Sequence, residues 1–184
     1  MSEIVLFSGG VDSTVLLWRA LDPVALFVDY GQPSADAERQ AVRAICERRG
    51  CRFHVMSVDG FIVGAMGAPS GEAGARVVHG RNLMLISLGV NLARSYGAGE
   101  VWIGCHGGDS QDYPDCRADF IAAQDRSNRS AYLVGVKAPL MMLSRASFIA
   151  EARRTGALDL TWSCYAPAED GQPCGTCNSC LQPK

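Results

Sequence analysis

Near its amino terminus the chain reads Ser8-Gly9-Gly10-Val11-Asp12-Ser13-Thr14, directly after the apolar run Ile4 to Phe7. Two adjacent glycines let a backbone turn sharply and bring its N–H groups close to an anion. Ser13 and Thr14 add hydroxyls at a helix start, where the macrodipole favours negative charge. The loop lacks the Gly-x-x-x-x-Gly-Lys-Ser/Thr pattern, so it is not built around a γ-phosphate lysine. Asp12 alone would repel phosphate, and in this setting it points to Mg2+ between carboxylate and phosphates. The plain alternative is a Gly-Gly turn with Asp12 or Ser13 capping the helix. The complete heptapeptide, lying between a buried strand and a helix, favours the phosphate loop.

At the other end, Cys164, Cys174, Cys177 and Cys180 are spaced C-x9-C-x2-C-x2-C. Four thiolates at that spacing can surround one tetrahedral Zn2+, with Gly175 easing the turn. All four positions filled by sulfur make a closed, structural site that would order a tail with little core of its own. An iron–sulfur cluster or a redox dithiol is the rival. Cys46, Cys51 and His54 fall in helix and strand contexts and read as packing residues.

The elements that position these residues follow from apolar periodicity. Residues 3–8, 24–28, 51–58, 101–104 and 133–136 read as strands. Residues 11–20, 36–49, 81–96, 118–126 and 144–154 read as helices. Residues 60–76, with five glycines and one proline, read as a long loop. Strands alternating with helices predict an α/β fold: a doubly wound, parallel, five-stranded, Rossmann-like sheet. The expected organisation is one α/β domain over 1–160, with a zinc-binding tail, 161–184, packed on it. Ligands of such sheets lie beyond the carboxyl ends of the strands. That places the candidate site at Ser8–Thr14, Asp29–Gln32, the 60–80 loop and Gly104–Arg117, with Asp29 and Gly104 bordering the nucleotide.

Composition agrees. The 184 residues are 48% hydrophobic and 20% charged, which suits one domain of a soluble enzyme. The net charge of −2 provides no global field for nucleic acid or an anionic membrane surface. No stretch approaches the roughly 18 apolar residues of a membrane span. The first residues enter a strand without a basic and apolar leader, so a reducing, cytoplasmic compartment is expected.

The heptapeptide resembles the Ser-Gly-Gly-x-Asp-Ser-Thr loop of the N-type ATP pyrophosphatases. That resemblance implies ATP cleaved between the α and β phosphates, pyrophosphate held by Ser8, Gly9, Gly10, Asp12, Ser13 and Thr14, and AMP passed to a substrate oxygen. Further segments are similar to the 7-cyano-7-deazaguanine synthase family of queuosine biosynthesis: Asp29-Tyr30-Gly31-Gln32, Gly80-Arg81-Asn82, Tyr113-Pro114-Asp115-Cys116-Arg117, Ala138-Pro139-Leu140, and Thr161-Trp162-Ser163-Cys164-Tyr165 running into the cysteine tail. They span nearly the whole chain in order. Membership would imply that ATP adenylates the carboxylate of 7-carboxy-7-deazaguanine, that ammonia gives the amide, and that a second activation dehydrates it to the nitrile. The implied contacts to this deazapurine acid are Arg81, Asn82, Asp109, Tyr113, Asp115 and Arg117. Asp12, Ser13, Arg81 and Asp115 would be catalytic. Asp115 would accept N–H bonds from a guanine-type edge, and Arg117 would pair with the acid. A homodimer is implied too.

The chain departs from the family pattern at His79, where a proline is usual, at Pro33-Ser34-Ala35 in place of basic residues, and at Arg145 in place of a lysine. It is also short for the family. Because those changes cluster at the mouth of the site, a second reading stays open: activation of a deazaguanine acid and its transfer to an amine of a protein or nucleic-acid acceptor. A tRNA thiolase, with Cys105 or Cys116 reactive, and a non-catalytic nucleotide-binding subunit are further alternatives. The intact Asp12 and Ser13 oppose the last.

Overall fold

A computed structural model describes residues 2–60 and 78–181. Five parallel strands run in the order β3-β2-β1-β4-β5: β1 (Glu3–Leu6), β2 (Pro23–Asp29), β3 (Arg52–Ser57), β4 (Glu100–Trp102) and β5 (Gly135–Lys137). The helices between them are α1 (Val11–Arg19), α2 (Ala35–Arg49), α3 (Arg81–Tyr96), α4 (Asp109–Asp112) and α5 (Ala118–Tyr132), with α6 (Arg145–Arg154) and α7 (Asn178–Leu181) following the sheet. Among the described residues no helix is long and apolar enough to cross a membrane.

The continuous apolar run of β1 follows from its central place. Successive side chains of a strand point to opposite faces, and both faces here are covered. Ile4 and Leu6 join Val24, Leu26, Ile86 and Val90 in one core, under α3 and α5. Val5 and Phe7 join Ala25, Phe27, Leu16 and Ile45 in the other, under α1, α2 and α6. β3 is an edge strand, paired with β2 alone, and it alternates between half-buried and exposed positions.

The doubly wound parallel fold expected from the sequence is the one observed, with three local differences. β1 ends at Leu6, and β4 ends at Trp102, so the backbone leaves the sheet earlier than the apolar run. α5 continues past Arg126 to Tyr132, although residues 127–132 lack an apolar stripe. An Arg129–Asp125 pair at 2.9 Å, spaced i,i+4, supports that extra length. Asp125 also accepts from the backbone N–H of Val136 at 2.8 Å, which ties α5 to β5. The helix ends at Leu133 in the left-handed conformation (φ 58°), shifting β5 to Gly135–Lys137. Residues 61–76 of the expected long loop lie outside the described residues.

Sheet order reverses between β1 and β4. Strands that leave a common neighbour in opposite directions open a crevice at their carboxyl ends, where ligands of such sheets bind. The loops after β1 and β4 are therefore the two walls to inspect. α3 seats close to both strands through Gly89: a Cβ there would stand 2.7 Å from Val101 Cγ1 and 3.2 Å from Leu6 Cδ2. Valine at 89 is the better helix former of the two residues, yet the packing term outweighs that gain. We expect Gly89→Val to lower the unfolding free energy by about 1–3 kcal/mol in chemical denaturation. An unchanged or raised midpoint would contradict the close packing.

Candidate active site

Gly9 carries φ +75°, the left-handed region that glycine reaches without strain. A Cβ on Gly9 would stand 2.9 Å from Ala41 Cβ and 3.1 Å from the Glu38 carbonyl, so position 9 admits only hydrogen. α1 then starts with Gly10 as its N-cap residue and no side-chain cap. The expected alternative, Asp12 or Ser13 as the cap, is not the arrangement found. Instead Ser13 Oγ and Thr14 Oγ1 donate back to the Gly10 carbonyl at 3.1 and 2.8 Å. The head of α1, with the half-buried Asp12 in its first turn, faces the crevice. Ser8 Oγ lies 3.4 Å from Ser13 Oγ. Across the switch point, a Cβ on Gly104 would be 3.5 Å from Ser13 N and 3.6 Å from Asp12 Cβ, so the β4 exit packs directly on the helix head.

The β2 exit carries a polar network. Asp29 accepts from the Gly31 N–H at 3.1 Å and from the Arg39 guanidinium. Gln32, 4% exposed, donates through Nε2 to Val28 O and to the Glu38 carboxylate, while its Oε1 accepts from Tyr30 N. Ser34 Oγ donates to Glu38 at 2.8 Å. Burial pushes the Glu38 carboxyl above its usual range, against the donors Gln32 and Ser34 and the charge of Arg81. Burial would pull Arg81 down, but the Tyr30 hydroxyl and the charges of Asp115 and Cys116 hold it above its ordinary value.

Arg81 opens α3 behind Gly80, whose φ is +74°. Next to it, Asn82 is 3% exposed and reaches across to the β4 exit. Its N–H donates to Asp115 Oδ2 at 3.3 Å, and its Nδ2 donates to Asp115 O and Cys116 Sγ. Arg81, Asn82 and Asp115 are thus brought together, although 33 residues separate Asn82 from Asp115. Tyr113 is half-buried against the core under α3 and α5. Asp109 accepts from His106 N at 2.9 Å and lies 3.3 Å from its ring Nε2. Arg117 is exposed at the N-cap of α5 and donates through Nε to Ser110 O at 3.2 Å. Cys105 and Cys116, 2% and 5% exposed, face each other. Donating its thiol hydrogen to Cys116, together with burial, pushes Cys105 up, while accepting that bond lowers Cys116.

At the tail, the sulfurs of Cys164, Cys174, Cys177 and Cys180 all lie within 4.8 Å of one another. Cys174–Cys180 and Cys177–Cys180 are 3.9 and 3.4 Å apart. A tetrahedral ion with metal–sulfur bonds of about 2.3 Å needs edges of about 3.8 Å, so the donor set fits. Backbone N–H groups of Cys174 and Cys177 donate to Cys164 Sγ and Cys174 Sγ, both at 3.3 Å, which favours thiolate. Such donors, with Thr176, draw the Cys174 thiol down to about 6.

Glu38 lies outside every motif, while Gln32 belongs to the Asp29–Gln32 segment and Ser34 to the Pro33–Ala35 departure. Glu38 did carry a signal. With Ala41, Val42 and Ile45 it falls at i, i+3, i+4 and i+7, so the acid lies on the core-facing stripe of α2. A carboxyl whose folded value is raised binds its proton more tightly folded than unfolded. Its contribution is complete below the unfolded value, near 4.5, and is lost as pH rises through the folded one. Compared with wild type, Glu38→Gln should therefore gain relative stability as pH rises above 4.5, in denaturation at several pH values. A constant difference across pH would refute the raised value.

Comparison with known proteins adds the family. The family model described as "Queuosine biosynthesis protein QueC" matches residues 2–184. The 7-cyano-7-deazaguanine synthase of Marinobacter nauticus is 34% identical over 202 residues, covering 98% of this chain and 90% of that protein. The one from Myxococcus xanthus is 34% identical, covering 97% and 89%. Among solved structures, a U34-tRNA thiolase, NcsA from Methanococcus maripaludis with its [4Fe-4S] cluster, superposes with a TM-score of 0.58 over 92% of this chain and 60% of its own, at 15% identity. That likeness is one of fold. With a model match over nearly its whole length and relatives above 30% identity, the chain belongs to the queuosine biosynthesis protein QueC family.

Proposed function

We propose that this protein is an ATP-dependent ligase of the 7-cyano-7-deazaguanine synthase type. The observation that carries the proposal is the Gly9-Gly10 turn and uncapped head of α1 at the switch point, with the Arg81–Asn82–Asp115 group on the neighbouring exits. The named relatives support it across nearly the full chain.

A carboxylate is a poor electrophile, and its acyl-adenylate is a good one. In the first half-reaction a carboxylate oxygen of 7-carboxy-7-deazaguanine attacks the α-phosphorus of ATP, and the bond to pyrophosphate breaks. Ammonia then attacks the acyl carbon, AMP leaves with the carboxylate oxygen, and a proton is released with the amide. In a second activation the amide oxygen attacks the α-phosphorus of another ATP and displaces its pyrophosphate. Loss of AMP with that oxygen, and of the two N–H protons, leaves the nitrile.

The protein contributes position and charge neutralisation. Backbone N–H groups of Gly9 and Gly10, with the hydroxyls of Ser8, Ser13 and Thr14, bind the pyrophosphate. Asp12 would hold Mg2+, which would supply positive charge to offset that of the phosphates. Asp29 and Gly104 border the nucleotide. Arg81, held by Tyr30 and Asp115, supplies a half-buried positive charge beside the reacting groups. Asp115 accepts from the guanine-type edge, with Asn82 and Tyr113 beside it. Arg117 releases the Ser110 carbonyl to meet the substrate carboxylate, and Asp109 holds the His106 turn. Residues 161–184 form a tail on the 1–160 domain; Cys164, Cys174, Cys177 and Cys180 would hold Zn2+, which supplies a cross-link rather than chemistry. The working form is a homodimer.

The test is mass spectrometry of zinc-loaded protein with Mg-ATP, 7-carboxy-7-deazaguanine and ammonium. We expect nitrile, AMP and pyrophosphate, with turnover reduced roughly 10²–10³-fold in Asp12→Ala. Adenylate or amide without nitrile would overturn the synthase reading and move the search to a macromolecular amine acceptor. No ATP-dependent product would overturn the ligase reading altogether.

A further inference from the structure

We infer that Trp162 couples the four-cysteine cluster to the phosphate loop, so that metal and ATP each tighten the hold on the other. The inference rests on the reading that the loop takes ATP and the cluster takes Zn2+.

Two hydrogen bonds of one residue carry it. The Trp162 backbone N–H donates to the Gly9 carbonyl at 3.0 Å. Its indole Nε1 donates to the Cys164 carbonyl at 2.8 Å. Cys164 is 3% exposed, and its sulfur accepts from Cys174 N. One residue, through its backbone and its side chain, therefore links a cysteine of the cluster to the second residue of the loop.

The bond to Gly9 matters because of peptide geometry. A trans peptide is planar, so its C=O and N–H point in opposite directions. Holding the Gly9 carbonyl toward Trp162 therefore turns the Gly10 N–H away from the tail. Between two glycines the backbone populates φ of either sign readily, so the orientation of that peptide needs an external anchor. The Trp162 carbonyl also lies 3.5 Å from where a Gly10 Cβ would stand, so the tail is in van der Waals reach of Gly10 as well. Packing holds the anchor itself: Trp162 lies against the core under α1, α2 and α6, beside Leu158 and Leu160. The last link is Cys164. With no metal joining the four sulfurs, the tail keeps few apolar contacts of its own to hold that carbonyl in place.

Coupling between two sites is reciprocal: if metal tightens nucleotide, nucleotide tightens metal by the same factor. That reciprocity gives a readout other than activity. The affinity of the folded, zinc-loaded chain for Zn2+ is measured at equilibrium against a chromophoric chelator, with and without saturating Mg-ATP. Calorimetry of ATP binding runs alongside. Trp162→Phe, which removes the indole donor and keeps the ring, is measured in the same mixtures and corrects for zinc held by free nucleotide. The expected result is a rise in zinc affinity of at least about fivefold with Mg-ATP in wild type, and a rise less than half as large in Trp162→Phe. ATP binding without any change in zinc affinity would overturn the coupling and leave the ATP reading standing. Absence of ATP binding would overturn that reading and the coupling with it. A full rise in Trp162→Phe would overturn the part given to the indole. The wild-type arm decides the coupling even where the variant folds poorly.

Discussion

Gly9 approaches α2 so closely that one methyl group would reach Ala41 Cβ at 2.9 Å and the Glu38 carbonyl at 3.1 Å. The rest of the site depends on that approach. β1 is buried on both faces, so its exit can turn only where backbone and helix share almost no side-chain volume. The left-handed Gly9 makes the turn, Gly10 opens α1 three residues beyond the apolar run, and the helix head meets Gly104 from the β4 exit. Three elements thus meet around a loop with no side chain at two successive positions. An alanine at position 9 would push the β1 exit away from α2.

Charge placement answers a second constraint. Arg81 is half-buried among groups from the β2 and β4 exits, and a guanidinium so placed is tolerated best with partners. Tyr30 and Glu38 come from the β2 side, Asp115 and Cys116 from the β4 side. Gln32 satisfies Tyr30 N, Val28 O and Glu38 at once, so removing any one member leaves another buried polar group unmet. The network joins the β2 exit to the start of α3, and Asn82 continues it to Asp115. A ligand between those exits meets one cation and one carboxylate whose spacing is set before binding, which lowers the ordering cost of recognition.

How much of this was legible in the sequence depends on range. Strand and helix identities, the parallel fold and the Gly-Gly turn into α1 follow from periods of two and 3.6 residues and a contiguous heptapeptide, all local signals. The length of α5 was not legible, because residues 127–132 extend the helix through Asp125–Arg129 and the Val136 N–H rather than through an apolar stripe. The Arg81–Asn82–Asp115 meeting depends on which strands are neighbours, a tertiary fact that motif spacing does not encode. Glu38 was half-legible: its place on the core side of α2 is periodic, but the identity of its partners is not. Arg117 shows the reverse. Its motif suggested a substrate contact, and its guanidinium is on the Ser110 carbonyl, so a contact to substrate requires that bond to exchange.

The cysteine tail follows from how few apolar residues it has. Beyond Trp162 only Cys164 and Cys177 are buried among its described apolar residues, too little area to order a segment against its backbone entropy. A tetrahedral ion replaces area with bonds, and its stabilisation acts only when all four ligands converge. The convergence occurs two residues from Trp162, whose backbone holds the Gly9 carbonyl. A hydrophobic tail of similar stability would need a wider footprint on α1 and α2, next to the turn that admits only hydrogen at position 9. Bonds through a small ion at these four cysteines would give the Gly9–Gly10 turn an outer support without adding side-chain volume where the fold has none to spare.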